Sequence, residues 1–248
     1  MERLNLFNPY QSKRAWHEDQ LTRAFLVIVR MVPLALSVLL DLLRDEQVVR
    51  GSATKIPSTT ELLENEVEIQ TQKSTVPQTT GRLISVVMTD ETWKPEGDVV
   101  ASDRGARYDG ILSFDPLWII VIENKPSSHD IWEELVHPSL PDGHEIEIDR
   151  TAIVLRWRNV VERLTALVAA NILHGAERMI VDDFLQFVDE HFSYLNPYRT
   201  FGQCKNFRPL LERRCRNVLE DVAPGRVDWQ PKWGTHYILL NQPSPVKM

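Results

Sequence analysis

The sequence predicts an α/β protein in which a mixed central sheet is flanked by helices. Apolar residues recur every three or four positions within the first fifty residues, as they do along one face of a helix. Short runs rich in β-branched residues follow between residues 82 and 155, and the helical period returns from residue 156. Helices before and after a block of strands favour a layered α/β architecture over a helical bundle or a β-sandwich.

The composition is that of an ordinary globular protein. The chain has 248 residues, of which 43% are hydrophobic and 25% are charged, and these values exclude a disordered tail. Its 28 Lys and Arg against 35 Asp and Glu give a formal net charge of −7, which excludes a uniformly basic nucleic-acid binder but not a local basic groove. Cys204 and Cys215 form no metal motif or disulfide framework, so we expect a reducing, cytoplasmic location.

The first helical region is predicted over about residues 12–46. Its most apolar part, residues 24–43, contains Arg30, Pro33 and Asp41. Charges near the centre of a membrane span are costly, and proline interrupts a helix. We therefore predict a buried helix with a proline kink or break, and no membrane association.

The sheet is predicted from short runs of strand-forming residues. Asp115-Pro116 is a tight turn pair, so the runs on either side of it should form an antiparallel hairpin. The predicted strands cover residues 82–89, 106–114, 117–125 and 144–155, with 66–72 as a possible edge strand.

The rest of the chain is predicted to be a helical extension that ends in a β-hairpin. A helix begins near Arg156 and is expected to stop at Gly175. Helices over 176–191 and 208–222 follow, and then a hairpin over 227–240. We expect a core domain over residues 1–175 with residues 176–248 packed on it, possibly as one single domain.

Charged residues stand at one end of the predicted hairpin. Glu123 and Lys125 end a very hydrophobic strand, and their two-residue spacing points them to the same face. Asp109 lies roughly opposite them on the partner strand. Two carboxylates and an ammonium group should therefore converge, a set that suits metal-assisted hydrolysis of a phosphodiester. The alternative is a structural ion pair that satisfies the strand end.

The spacing Asp109-x13-Glu123-x-Lys125, after a helix that bears Glu18, resembles the PD-(D/E)xK nuclease superfamily, whose fold is restriction-endonuclease-like. The resemblance covers roughly residues 12–172. Four segments are also similar to a branch of that superfamily found in bacterial anti-phage proteins: 17–24 (HEDQLTRA), 122–126 (IENKP), 131–135 (IWEEL) and 155–157 (LRW).

The resemblance implies a role for each matched residue. Asp109 and Glu123 would hold Mg²⁺, which Mn²⁺ could replace, with the Asn124 carbonyl as a third ligand. Lys125 would be the catalytic lysine, and Glu18 would add an outer contact from the first helix. Glu18 could equally be a favourable acid near a helix N-terminus, and its neighbour Asp19 could take either role.

Weaker candidates lie after this hairpin. His129 and Arg156 are possible contacts to a nucleic-acid backbone, although Trp157 beside Arg156 is expected to pack in the core. A zinc site among His129, His137 and His144 matches no known ligand spacing.

The sequence thus predicts a Mg²⁺-dependent endonuclease of bacterial anti-phage defence, with DNA favoured over RNA as the substrate. Such effectors are usually controlled by assembly, so we expect a homo-oligomer or a complex with a sensor or regulatory protein. Two alternatives remain: a catalytically silent scaffold in a defence assembly, and a nuclease that acts on RNA.

Overall fold

A computed structural model describes most of the predicted sheet and the helices around it. The described residues are 5–7, 18–50, 56–63, 67–74, 76–77, 81–89, 107–114, 117–125, 146–149, 151–192, 195, 215, 218–219, 227–232 and 235–240. The chain divides into two units, residues 1–196 and 197–248. The predicted core boundary after residue 175 falls within a helix, Gly175–His191, that belongs to the first unit.

The predicted first helix is two helices. Helix α1 spans Glu18–Met31 and α2 spans Pro33–Arg50, and their axes differ in direction by 113°. Proline has no N–H to continue the hydrogen-bond ladder, so the helix breaks at Val32, as predicted. Within the described residues, no single helix is long and apolar enough to cross a membrane.

Six strands of the first unit form one mixed, open sheet flanked by helices. Strand β3 pairs antiparallel with β1 and β4, and β2 pairs parallel with β4, β5 and β6. The predicted hairpin of β3 and β4 is confirmed. The strands are β1 (Val67–Lys73), β2 (Arg82–Thr89), β3 (Tyr108–Phe114), β4 (Trp118–Asn124), β5 (Glu147–Ile148) and β6 (Ile153–Arg156).

The single strand predicted over residues 144–155 is wrong, because the segment forms the two short strands β5 and β6. Ile148 pairs with Leu83 and Ile153 pairs with Val86, so two extra residues lie between the two pairings. In this interval the Asp149 carboxylate accepts a hydrogen bond from the Thr151 N–H at 3.5 Å. Such local side-chain bonds compete with a sheet ladder.

Three more helices are described in this unit: α3 (Thr59–Leu63), α4 (Trp157–Ala169) and α5 (Gly175–His191). Helix α3 was not predicted, although Ser58 and Glu61 form a reciprocal capping box at its start. Gly175 begins α5, so its prediction as a helix stop is wrong. Asn171, with φ of +56°, takes the left-handed position after α4 instead, which Asn tolerates better than most residues.

The apolar residues of the sheet form two clusters. The larger one joins alternate residues of β2, β3, β4 and β6 to α1, α2, α4 and α5, with Phe25 packed edge-on against Trp157. The smaller one lies on the other face and includes Ile119 and Val121 of β4. The strands of the hairpin are buried along their whole length, so polar residues at their ends are held in a largely apolar setting.

The second unit contains the predicted terminal hairpin, with strands β7 (Val227–Lys232) and β8 (Thr235–Leu240) paired antiparallel. Cys215, Val218 and Leu219 are helical, in the middle of the helix predicted over 208–222. The remainder of that helix lies outside the described residues.

Candidate functional site

The predicted site residues Asp109, Glu123 and Lys125 lie at one edge of the central sheet. The register of the hairpin pairs Gly110 with Ile122, so Asp109 and Glu123 are each one residue farther toward that edge. Both residues are buried. The antiparallel pairing thus places two acidic residues that are separated by thirteen residues in the chain on neighbouring strands, near the same strand ends.

Asp109 is held at both carboxylate oxygens. Its Oδ2 accepts a hydrogen bond from the backbone N–H of Asn124 at 2.8 Å, and its Oδ1 accepts one from the side-chain amide of Gln72 at 3.1 Å. Gln72 lies on β1, on the other side of β3 from Glu123. Two strands therefore position this one carboxylate.

Glu123 and Lys125 form an ion pair, with 3.0 Å between Oε1 and Nζ. The Glu123 side chain is 4% exposed, whereas that of Lys125 is 20% exposed and reaches solvent. Alternation along β4 points Glu123 to the face of Ile119 and Val121, away from the larger core cluster. The backbone N–H of Lys125 continues the parallel ladder by donating to the Met88 carbonyl at 2.9 Å.

Asn124 faces the other side of the sheet and is fully buried. Its Oδ1 accepts a hydrogen bond from the Trp157 indole N–H at 2.7 Å, which ties β4 to the first residue of α4. Trp157 is itself fully buried, so its predicted packing in the core is confirmed. A metal-ligating role of the Asn124 carbonyl stays a prediction.

The remaining candidates are placed less completely. Glu18 is the first residue of α1, and the structure describes its backbone but not its side chain. Its neighbour Asp19 contacts Gln72, with 3.3 Å from the amide Nε2 to Oδ1. Arg156 ends β6 opposite Thr89, at the same edge of the sheet as Asn124. His129 and the other two histidines considered for zinc lie outside the described residues.

Two contacts of this site were missed from the sequence. The Gln72 amide reaches Asp109 across 37 positions of the chain, and the Trp157 indole reaches Asn124 across 33. Neither contact follows from local spacing, because each depends on which elements become neighbours in the fold. The predicted edge strand was the available signal for Gln72, since its C-terminal end falls beside the start of the hairpin.

Among the described residues, no group of three or more His, Cys, Asp or Glu side chains could hold a metal ion. No protein-family model matches the chain, and neither does any curated protein or solved structure. The PD-(D/E)xK resemblance therefore stays a prediction, and a functional argument depends on the geometry of the sheet edge.

Proposed function

We propose that this chain is a metal-dependent endonuclease of restriction-endonuclease-like fold that hydrolyses phosphodiester bonds, with DNA as the substrate. One observation carries the proposal. Two buried carboxylates, Asp109 and Glu123, lie at the same sheet edge as the partly exposed ammonium group of Lys125. Buried charges are expensive to maintain, and such clusters are more frequent at functional sites than elsewhere.

The donor chemistry of this edge fits Mg²⁺ or Mn²⁺. Mg²⁺ prefers oxygen ligands and is commonly bound through one or two carboxylates while it retains several waters. Asp109 and Glu123 would hold the ion, with the Asn124 carbonyl and an outer contact from Glu18 as further parts of the proposal. When bound, the ion supplies Lewis-acid catalysis.

Lys125 supplies the positive charge that this chain itself contributes to the reaction. Its contact with Glu123 holds the ammonium group beside that carboxylate, while its partial exposure would let it reach a substrate. From there it would orient the attacking water and offset negative charge that develops on the phosphate. Arg156, at the same edge, is a candidate contact to the nucleic-acid backbone, and His129 remains a second one.

The proposed setting is bacterial anti-phage defence in the cytoplasm, as a homo-oligomer or in complex with a sensor or regulatory protein. The net charge of −7 supports metal-bridged cutting without sequence preference over tight autonomous binding. A catalytically silent scaffold is the second candidate. It is favoured by the hydrogen bonds at Asp109 and the Glu123–Lys125 pair, which satisfy the strand ends from within the protein.

Plasmid cleavage tests the proposal. The native chain is compared in Mg²⁺ and in Mn²⁺ with three variants of unchanged size, Asp109→Asn, Glu123→Gln and Lys125→Met. Each should lose activity by about 100-fold or more, because each removes a charge that acts on the reacting groups. Glu68→Gln on β1, an exposed carboxylate of the same sheet, is the matched control and should retain the native rate.

Two results would overturn the enzymatic proposal. The first is equal cleavage by the native chain and the three variants. The second is the absence of any metal-dependent cleavage by the native chain. The second result would favour the scaffold. Single-stranded and double-stranded DNA and RNA are compared in the same assay. A preference for RNA would replace the DNA part of the proposal and leave the site intact.

A further inference from the structure

Gln72 adopts a backbone conformation that is unusual for a residue in a strand. Its neighbours Thr71 and Lys73 pair with Gly110 and Tyr108, so Gln72 lies directly across from Asp109. Its φ is +55°, in the left-handed region that favours glycine. Residues held in such conformations cluster at functional sites, where the surrounding structure maintains them.

The side-chain amide of Gln72 lies between two carboxylates. Its Nε2 is 3.1 Å from Oδ1 of Asp109 and 3.3 Å from Oδ1 of Asp19. An amide nitrogen carries two hydrogens and so can donate to both oxygens at once. The opposite orientation of the amide would place its carbonyl oxygen against two carboxylates, so the contacts themselves determine the assignment.

This bridge connects two elements of the site that are distant in the sequence. Asp19 lies in the first turn of α1, and Asp109 lies at the start of β3. Because the backbone N–H of Asn124 holds the other oxygen of Asp109, the Gln72 amide completes the orientation of that carboxylate. Partners of this kind, which orient a metal ligand without touching the metal, strongly affect metal affinity.

We propose that Gln72 is a positioning residue for a divalent cation at Asp109, and that Asp19 is the acid of the first helix linked to the site through it. This inference rests on the proposed function. It goes beyond the predicted residue set, in which Gln72 is absent and the first helix reaches the site through Glu18.

Mn²⁺ binding to the full chain tests the inference, measured by isothermal titration calorimetry without nucleic acid. Gln72→Gly removes the amide and suits the positive φ, so the strand should keep its backbone conformation. Gln72→Asn also tolerates this conformation, but its amide is one methylene too short to bridge both carboxylates. We expect each variant to bind Mn²⁺ about tenfold more weakly than the native chain.

Gln70→Gly is the matched control, because Gln70 lies on the same strand and its amide contacts Glu68 instead of the site. It should bind Mn²⁺ with native affinity even though glycine within a strand lowers stability. Native affinity in both Gln72 variants would overturn the inference and leave the proposed nuclease standing. A native chain that neither binds Mn²⁺ nor cleaves nucleic acid would overturn the proposed function, and the inference with it.

Discussion

Two ion pairs at opposite ends of the central strands show how differently the same charges behave. At the amino end of β2, Arg82 pairs with Glu147, and the two side chains are 26% and 69% exposed. At the carboxyl end of the neighbouring strand β4, Lys125 pairs with Glu123, and these side chains are 20% and 4% exposed. The carboxylate of the second pair is almost completely removed from water.

This difference in exposure decides what each pair contributes. Exposed ion pairs are screened by water and salt, and typically stabilise a protein by less than about 1 kcal/mol. A buried carboxylate must give up its hydration, and this cost can equal or exceed the attraction to its partner. The Arg82–Glu147 pair is therefore an ordinary surface contact, whereas a buried acidic residue paired with Lys125 agrees with the proposed role of Glu123 in catalysis.

The largest expected effect is the loss of Lys125. The substitution Lys125→Met removes the ammonium group 3.0 Å from a buried carboxylate, and it should lower the free energy of unfolding by about 3 kcal/mol. Arg82→Met, at the exposed pair, should lower it by less than about 1 kcal/mol. Urea denaturation at pH 7 measures both values.

Salt sharpens the same comparison. In 1 M NaCl the effect of Arg82→Met should largely disappear, and that of Lys125→Met should persist, because buried pairs are screened much less. Equal losses of stability for the two variants, or equal responses to salt, would show that burial does not make the two ion pairs differ in their contribution to the free energy of unfolding.

The second prediction compares two tryptophans at these ends. Trp157→Phe removes the indole N–H that donates to the fully buried Asn124, and should destabilise the protein by about 2 kcal/mol. Trp118→Phe, near Arg82 at the other end, removes an indole for which no such buried acceptor is described, and should have the smaller effect. The test is again the urea midpoint, and a larger loss for Trp118→Phe would contradict it.

Much of the sheet could be predicted because the sequence signals for its strands lie within each strand or in the turn beside it. The β-branched content of residues 82–89 suffices for β2, and the turn pair at 115–116 suffices for the β3–β4 hairpin. The same hairpin register places Asp109 and Glu123 one residue beyond the Gly110–Ile122 pair, and this register follows from the position of the turn. The break at Pro33 follows from the missing N–H of proline.

The rest depends on contacts between distant parts of the chain. Nothing near Asn124 in the sequence indicates that its side chain accepts a bond from Trp157, and nothing near Gln72 indicates a positive φ or a bridge from Asp19 to Asp109. The interruption between β5 and β6 is the local exception, because there the Asp149 carboxylate accepts a bond from the Thr151 N–H two residues later.

The smallest expected effect concerns Asp149, close to the exposed pair. Burial raises the pKa of Asp149, more than the hydrogen bond from the Thr151 N–H and the nearby Arg82 lower it. Between its unfolded pKa of about 3.9 and the higher folded value, the folded state binds more protons, so this carboxyl's contribution to stability falls as pH rises. The unfolding free energy of Asp149→Asn should therefore increase relative to the native chain from pH 4 to pH 7.

Glu61 provides a control of opposite sign, because its hydrogen bonds with Ser58 lower its pKa. Its stabilisation is present above the unfolded pKa of about 4.3 and is lost as pH falls below it, so Glu61→Gln should lose stability relative to the native chain as pH rises from about 3 to 5. Parallel urea titrations of the three proteins measure both slopes, and slopes of the same sign would contradict the assignment of burial as the dominant influence at Asp149.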